Sequence, residues 1–176
     1  MGPPTGLTAA VADAGPLIHL SEIGSLPLLD LFEAILVPDA VWSEAVGRGA
    51  VSGADLSKLN SARRVTLDQD KVARFVADRK LESLHVGERE CLYACHSEDV
   101  SVILTDDLDV RDVARVLKLT PVGSLGLLVR AHVLGQVSLA DAERYIADLQ
   151  EVSSLFVTRA IVEEAIEQLR RRAAEM

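Results

Sequence analysis

Thr8-Ala9-Ala10-Val11-Ala12-Asp13-Ala14-Gly15-Pro16-Leu17-Ile18 is the stretch on which the reading of the fold turns. Residues 8–12 form a short apolar run without helical periodicity, the pattern of a buried strand. Asp13 ends the run, and Gly15-Pro16 sets a proline where the first turn of a helix accepts one. The segment therefore predicts a strand, an acid at its carboxyl end, a turn and a helix carrying Leu17, Ile18, Leu20 and Ile23.

The same unit recurs downstream. After Gly24-Ser25 a second helix is expected over Leu28, Leu29, Leu31 and Phe32, then a buried strand at Ala34-Ile35-Leu36-Val37. Pro38-Asp39 stops that strand and caps a helix holding Val41, Trp42, Glu44 and Val46, and Gly47, Gly49 and Gly53 mark a loop. Residues 63–67 predict an edge strand and residues 69–80 a helix with Val72, Phe75 and Val76 inward. Gly87-Glu88 opens a helix with Cys91, Leu92, Ala94 and Cys95 in the core, and Ser101-Val102-Ile103-Leu104-Thr105 is a strand closed by Asp106-Asp107. Asp109 is placed to cap a helix over 110–119, Pro121-Val122 begins a last strand, and Leu125, Leu127, Leu128 and Val129 belong to the helix after it. Alternating strands and helices predict an α/β fold of three layers, αβα, around a mainly parallel sheet of four to five strands. Two amphipathic helices follow, one started by Ser138 and one carrying Ile161, Val162, Ala165, Ile166 and Leu169. This divides the chain into a domain at 1–135 and a helical extension at 136–176, packed on the domain or at a homodimer interface.

With 176 residues, 49% hydrophobic and 26% charged, the chain is long enough for one well-buried core and too apolar for wholesale disorder. Eighteen Lys and Arg against 27 Asp and Glu give a formal charge of -9, which argues against passive, charge-driven binding to nucleic acid or a membrane surface. Cys91 and Cys95 are too few and too close for a disulfide framework, pointing to a reducing cytoplasm. The longest apolar stretch, Leu28 to Val37, is broken by Asp30 and Glu33, and the N-terminus lacks the basic and apolar regions of a signal peptide, so no membrane insertion is expected.

Ligands of open parallel sheets gather beyond the carboxyl ends of the strands, where Asp13 and Asp106-Asp107 fall. Glu44 and Glu88, on short helices, can be aimed at the same edge. Taken singly, Asp13, Asp107 and Asp109 read equally well as helix caps, Glu88 as an acid at a helix start and Glu44 as a surface acid. Taken together they form an anionic pocket whose mutual repulsion a hard divalent cation, Mg²⁺ or Mn²⁺, would remove. Two such ions about 4 Å apart activate water and stabilise the leaving oxygen in phosphodiester hydrolysis. Arg111, Arg115 and Lys118 would then assist in holding a nucleic-acid backbone without global basicity.

These residues resemble a PIN domain, the VapC-type nuclease fold of toxin-antitoxin systems, and in particular its branch with an Asp-x-Gly/Ser-Pro-Leu-Ile signature. Here the signature is Asp13-Ala14-Gly15-Pro16-Leu17-Ile18. It continues in order with Val37-Pro38-Asp39-Ala40-Val41-Trp42-Ser43-Glu44, Gly87-Glu88-Arg89-Glu90-Cys91, Thr105-Asp106-Asp107-Leu108-Asp109-Val110-Arg111 and Pro121-Val122-Gly123-Ser124-Leu125-Gly126. The resemblance spans about Thr8 to Gly135. It implies a metal-dependent endoribonuclease whose catalytic and metal-binding acids are Asp13, Glu44, Glu88, Asp106 and Asp107; from their place near that carboxyl edge, Arg111 and Arg115 are the expected RNA contacts. The Thr-x-Asp spacing of PIN domains points to Asp107 and the strand-end position to Asp106, so both are retained. Glu88 departs from the Asp found at the third acidic position of many VapC toxins.

The expected function is Mg²⁺- or Mn²⁺-dependent RNA hydrolysis by the toxin half of a toxin-antitoxin pair, with a cognate antitoxin as partner. The alternative is a catalytically weak binding module of the same fold that holds an antitoxin or another partner. Cys91, Cys95 and His96 lack the spacing of a zinc site, and His19 and His85 read as structural histidines rather than general bases. No G-x-G-x-x-G, Walker A loop or G-x-S-x-G elbow is present. The Arg170-Arg171-Arg172 run suits the negative end of a helix dipole.

Overall fold

The computed structural model describes residues 7–175. Five strands, β1 (Leu7–Ala12), β2 (Phe32–Pro38), β3 (Ala62–Val65), β4 (Val102–Leu104) and β5 (Thr120–Val122), form one sheet in the order β3-β2-β1-β4-β5, every pairing parallel. The strands are connected by helices α1 (Ala14–Glu22), α2 (Asp39–Ala45), α3 (Gly53–Lys58), α4 (Gln69–Arg79), α5 (Val86–Ser97) and α6 (Leu108–Val116). Three more, α7 (Ser124–Val133), α8 (Leu139–Glu151) and α9 (Arg159–Glu175), follow the sheet.

Ala10, Val11 and Ala12 of β1 and Ile35 and Val37 of β2 are fully buried, as continuous apolar runs require when helices cover both faces. Helix α5 packs on β1, β2 and β4 with α2 and α4 against it, while α7 packs on α1. This is the three-layer α/β arrangement expected from the alternation. The sheet's edges are blunted differently: β3 exposes Arg63 and Arg64, and β5 carries Pro121, which has no amide to offer another strand.

Three local expectations are corrected. Residues 26–31 form a 3₁₀ helix, Leu26–Leu31, and Phe32 belongs to β2 rather than to a helix. Gly53 opens the short helix α3, whose Leu56 fills the core, so the glycine-rich loop ends earlier than its composition suggests. The cap of α6 is Asp107, whose Oδ1 accepts from the Val110 amide at 3.0 Å, and Asp109 lies inside the first turn.

The last two helices form a hairpin on α7. Ala142, Ile146 and Leu149 of α8 are fully buried, with Val162, Ala165 and Leu169 of α9 also buried, so most of both amphipathic faces packs within the chain, but Ile161, expected on that face, is 49% exposed. Arg170 pairs with Glu143 at 2.6 Å and Arg171 with Glu167 at 3.3 Å, which engages the first two arginines of that basic run on the hairpin. No helix among the described residues is long and apolar enough to cross a membrane.

Candidate functional site

Register assembles the site. Ala12 pairs with Leu104 and Leu104 with Val122, so the next residues, Asp13, Thr105 and Gly123, stand side by side at the carboxyl edge. The ladder continues past the strands: the Asp13 amide donates to Leu104 O and the Thr105 amide to Val122 O, both at 2.9 Å. The strand order reverses between β1 and β4, and such a switch point opens a crevice for ligands.

Asp13, Glu44, Glu88, Asp106 and Asp107, drawn from the ends of β1 and β4 and from α2 and α5, line a single pocket of about 330 Å³ in this crevice. Asp13 is 8% exposed. Its Oδ1 accepts from the Ala14 amide at 2.8 Å and its Oδ2 from the Thr105 hydroxyl at 3.1 Å. Burial pushes its carboxyl from an ordinary 3.8 up to about 6; those hydrogen bonds oppose the rise, and the nearby Glu88 and Glu44 carboxylates reinforce it. Asp13 thus caps α1, as a lone acid in that place would, and also faces two other acids.

Glu88 is fixed by a capping box at the start of α5, where its Oε2 accepts from the His85 amide at 2.7 Å. Glu44 accepts no hydrogen bond among the described residues, but its helix is anchored. The first turn of α2 lacks a side-chain cap of its own, and the Glu90 carboxylate supplies the acceptor for the Ala40 amide at 2.9 Å. Glu90 is buried and its other oxygen takes a hydrogen bond from Gln69 Nε2 at 2.9 Å.

Asp106 and Asp107 are adjacent in sequence and unlike in environment. Three donors converge on Asp106: the Ser124 amide on Oδ1 at 2.7 Å, and the Ser124 hydroxyl and His19 Nδ1 on Oδ2 at 2.6 and 2.8 Å. Asp107 receives only the Val110 amide on Oδ1, and its Oδ2 is unengaged among the described residues. Asp106 is therefore locked between α1 and α7, whereas Asp107 keeps an oxygen free for the pocket. Gly123 is required here because a Cβ would lie 2.8 Å from both Asp106 Oδ1 and Arg111 Nη1.

His19 and His85 both line the pocket, so the helix that reads as merely apolar delivers an imidazole to it. Ser124, Glu90 and the segment Ser154-Leu155-Phe156 were not visible as site residues in the sequence. Their roles rest on long-range contacts that no local pattern encodes. Arg111 reaches the edge and donates to Thr105 O at 3.4 Å. Arg115 instead pairs with Asp112 at 2.6 Å, and Lys118 lines a cleft with Val100 and Ser101 at the amino end of β4. Neither is among the residues that line the acidic pocket. Cys91 and Cys95 are core thiols whose pKa values burial raises, Cys95 to about 12, and His96 stacks on Phe75 with ring centroids 5.3 Å apart.

Neither curated proteins nor solved structures provide a match to this chain. A family profile described as "PIN domain" matches residues 9–171, which takes in the carboxyl ends of all five strands, the acids and most of the C-terminal hairpin. By that match, and in keeping with its parallel sheet and acid-lined switch point, the chain belongs to the PIN-domain family.

Proposed function

We propose that the protein is a divalent-metal-dependent endoribonuclease that hydrolyses RNA phosphodiester bonds at this pocket. The observation that carries the reading is the convergence of Asp13, Glu44, Glu88, Asp106 and Asp107 on one crevice, with Asp13 buried and its ionisation opposed by the neighbouring acids. PIN domains are generally nucleases, which supports the same reaction class.

The donor set fits a hard cation, since it is made of carboxylate oxygens. Among the described residues Glu44 is without a hydrogen-bond donor, Glu88 and Asp107 each have one uncommitted oxygen, and Asp13 has a lone pair left on each oxygen. Among the described residues no three ligand-type side chains already form a metal cluster, so Asp13, Glu44, Glu88 and Asp107 are the residues that would hold the ions. When bound, the ions supply the charge that neutralises these acids and activates the attacking water. The chain's own contribution is positional. Asp106 and Ser124 hold His19 at the pocket wall, Thr105 orients Asp13, and Arg111 stands beside the pocket to steady the phosphate backbone.

The ordered motif set supports placing the protein in the VapC-like branch as the toxin of a toxin-antitoxin pair, with an antitoxin segment covering the acidic groove. The test is direct: with Mn²⁺, purified protein cleaves single-stranded or transfer RNA, and EDTA or Asp13→Asn abolishes cleavage. Undiminished cleavage by the variant, or in EDTA, rejects the assignment.

A further inference from the structure

Beside the acidic pocket a second cleft of about 450 Å³ opens along α6, α7 and the loop joining α8 to α9, and Asp106, Leu155 and Phe156 belong to the walls of both. Its lining differs in kind. It contains Arg111 and Arg130, neither of which forms an ion pair with a carboxylate among the described residues. It also contains Phe156, which at 92% exposure is the most solvent-exposed large hydrophobic residue described.

The ring is displayed by a fixed loop. Leu155 and Val157, on either side of it, pack against the core. One residue earlier, Ser154 donates its amide and its hydroxyl to Glu22 Oε2 at 2.7 and 3.1 Å, pinning the loop to α1. An aromatic face turned to solvent next to unpaired cations is the pairing by which proteins hold single-stranded nucleic acid: cations track the phosphates and the ring stacks on a base. In a duplex the bases are already stacked and paired, so this ring would find no partner there.

We propose that this cleft is the subsite for the nucleotide next to the scissile bond. A phosphate of a single-stranded RNA lies on Arg111 and Arg130, and its unpaired base stacks on Phe156. The proposal rests on the hydrolytic reading above and adds to it a place, this cleft, and the side chain, Phe156, that holds an unpaired base. A protein segment is the competing occupant, and the two cations beside an acid-lined pocket favour a phosphate backbone over it.

Binding is measured by fluorescence anisotropy with the full chain carrying Asp13→Asn, so that no strand is cut, in Mg²⁺. The probes are a labelled single-stranded RNA of mixed sequence and an abasic strand of equal length. The base-containing strand binds about tenfold more tightly than the abasic one, Phe156→Ala erases that difference, and Phe156→Trp keeps it. Arg130→Ala weakens both strands alike. Because Phe156 is so exposed, its replacement leaves the core untouched. A base preference that survives Phe156→Ala, as expected if the ring serves a protein partner, overturns the proposal, as does the absence of binding to either strand. Failure of the hydrolytic reading would show separately, as RNA left intact by the wild-type chain with Mn²⁺.

Discussion

Glu90 Oε2 accepts a hydrogen bond from the Ala40 amide across 2.9 Å, and through this buried contact α5 holds the first turn of α2. Since α5 carries Glu88 and α2 carries Glu44, one carboxylate that never faces the pocket sets the spacing of two that do. Glu90→Ala leaves the Ala40 amide without its acceptor, at a cost of about 1–3 kcal/mol. A thermal melt should show Tm lowered by roughly 2–12 °C for a chain of this size. RNA cleavage should fall by up to about 10²-fold, the scale of an ångström-level misplacement.

Asp106 and Asp107 should separate in a way their adjacency hides. Asp107→Asn keeps a good N-cap for α6, so the melt stays within about 0.5 kcal/mol of wild type while cleavage is lost. Asp106→Asn removes the charge on which His19 and both Ser124 donors converge, lowering stability by about 1–3 kcal/mol as well as activity. Equal melts for the two variants would contradict this division.

The raised Asp13 pKa has a signed consequence. The group binds its proton more tightly folded, at about 6, than unfolded, near 3.8, so the folded state gains below pH 4 and loses that gain as the pH climbs through 6. The loss is on the order of 2–3 kcal/mol at two pKa steps of about 1.36 kcal/mol each. In metal-free buffer, Asp13→Asn should therefore melt higher than wild type at pH 7–8, with the two curves converging near pH 4.

Divalent ions should act on the same charge. Added Mg²⁺ or Mn²⁺ raises the wild-type Tm at pH 7.5, by about 2.7 kcal/mol of stability at a hundred times the dissociation constant, and EDTA reverses it. Asp13→Asn should show little of this shift in the same scanning calorimetry series.

What the sequence made legible is what local physics dictates. Apolar runs too short for a helix, each ended by an acid, mark β1 and β4, and the switch-point rule then sends Asp13 and Asp106-Asp107 to one edge. Glu44 and Glu88 became readable only as part of an ordered set. The division between Asp106 and Asp107 was not legible, because it depends on Ser124 and His19 arriving from α7 and α1. Asp109 looked as good a cap as Asp107, since both can reach an amide in the next turn and only the backbone path chooses. Phe156 carried no signal, being one aromatic in a loop whose place beside the pocket is fixed by Glu22, far back in the chain.

β1 precedes the other four described strands in the chain, yet it occupies the middle of the sheet, and both strands that flank it are made afterwards. Its edge toward β4 stays bare until Leu104 has emerged, and Ser124, which immobilises Asp106, comes later still. A half-made polypeptide thus carries Asp13, Glu44 and Glu88 with no opposite wall. The acidic pocket is therefore completed only after Ser124 has been made, so its two walls cannot act together in a shorter nascent chain.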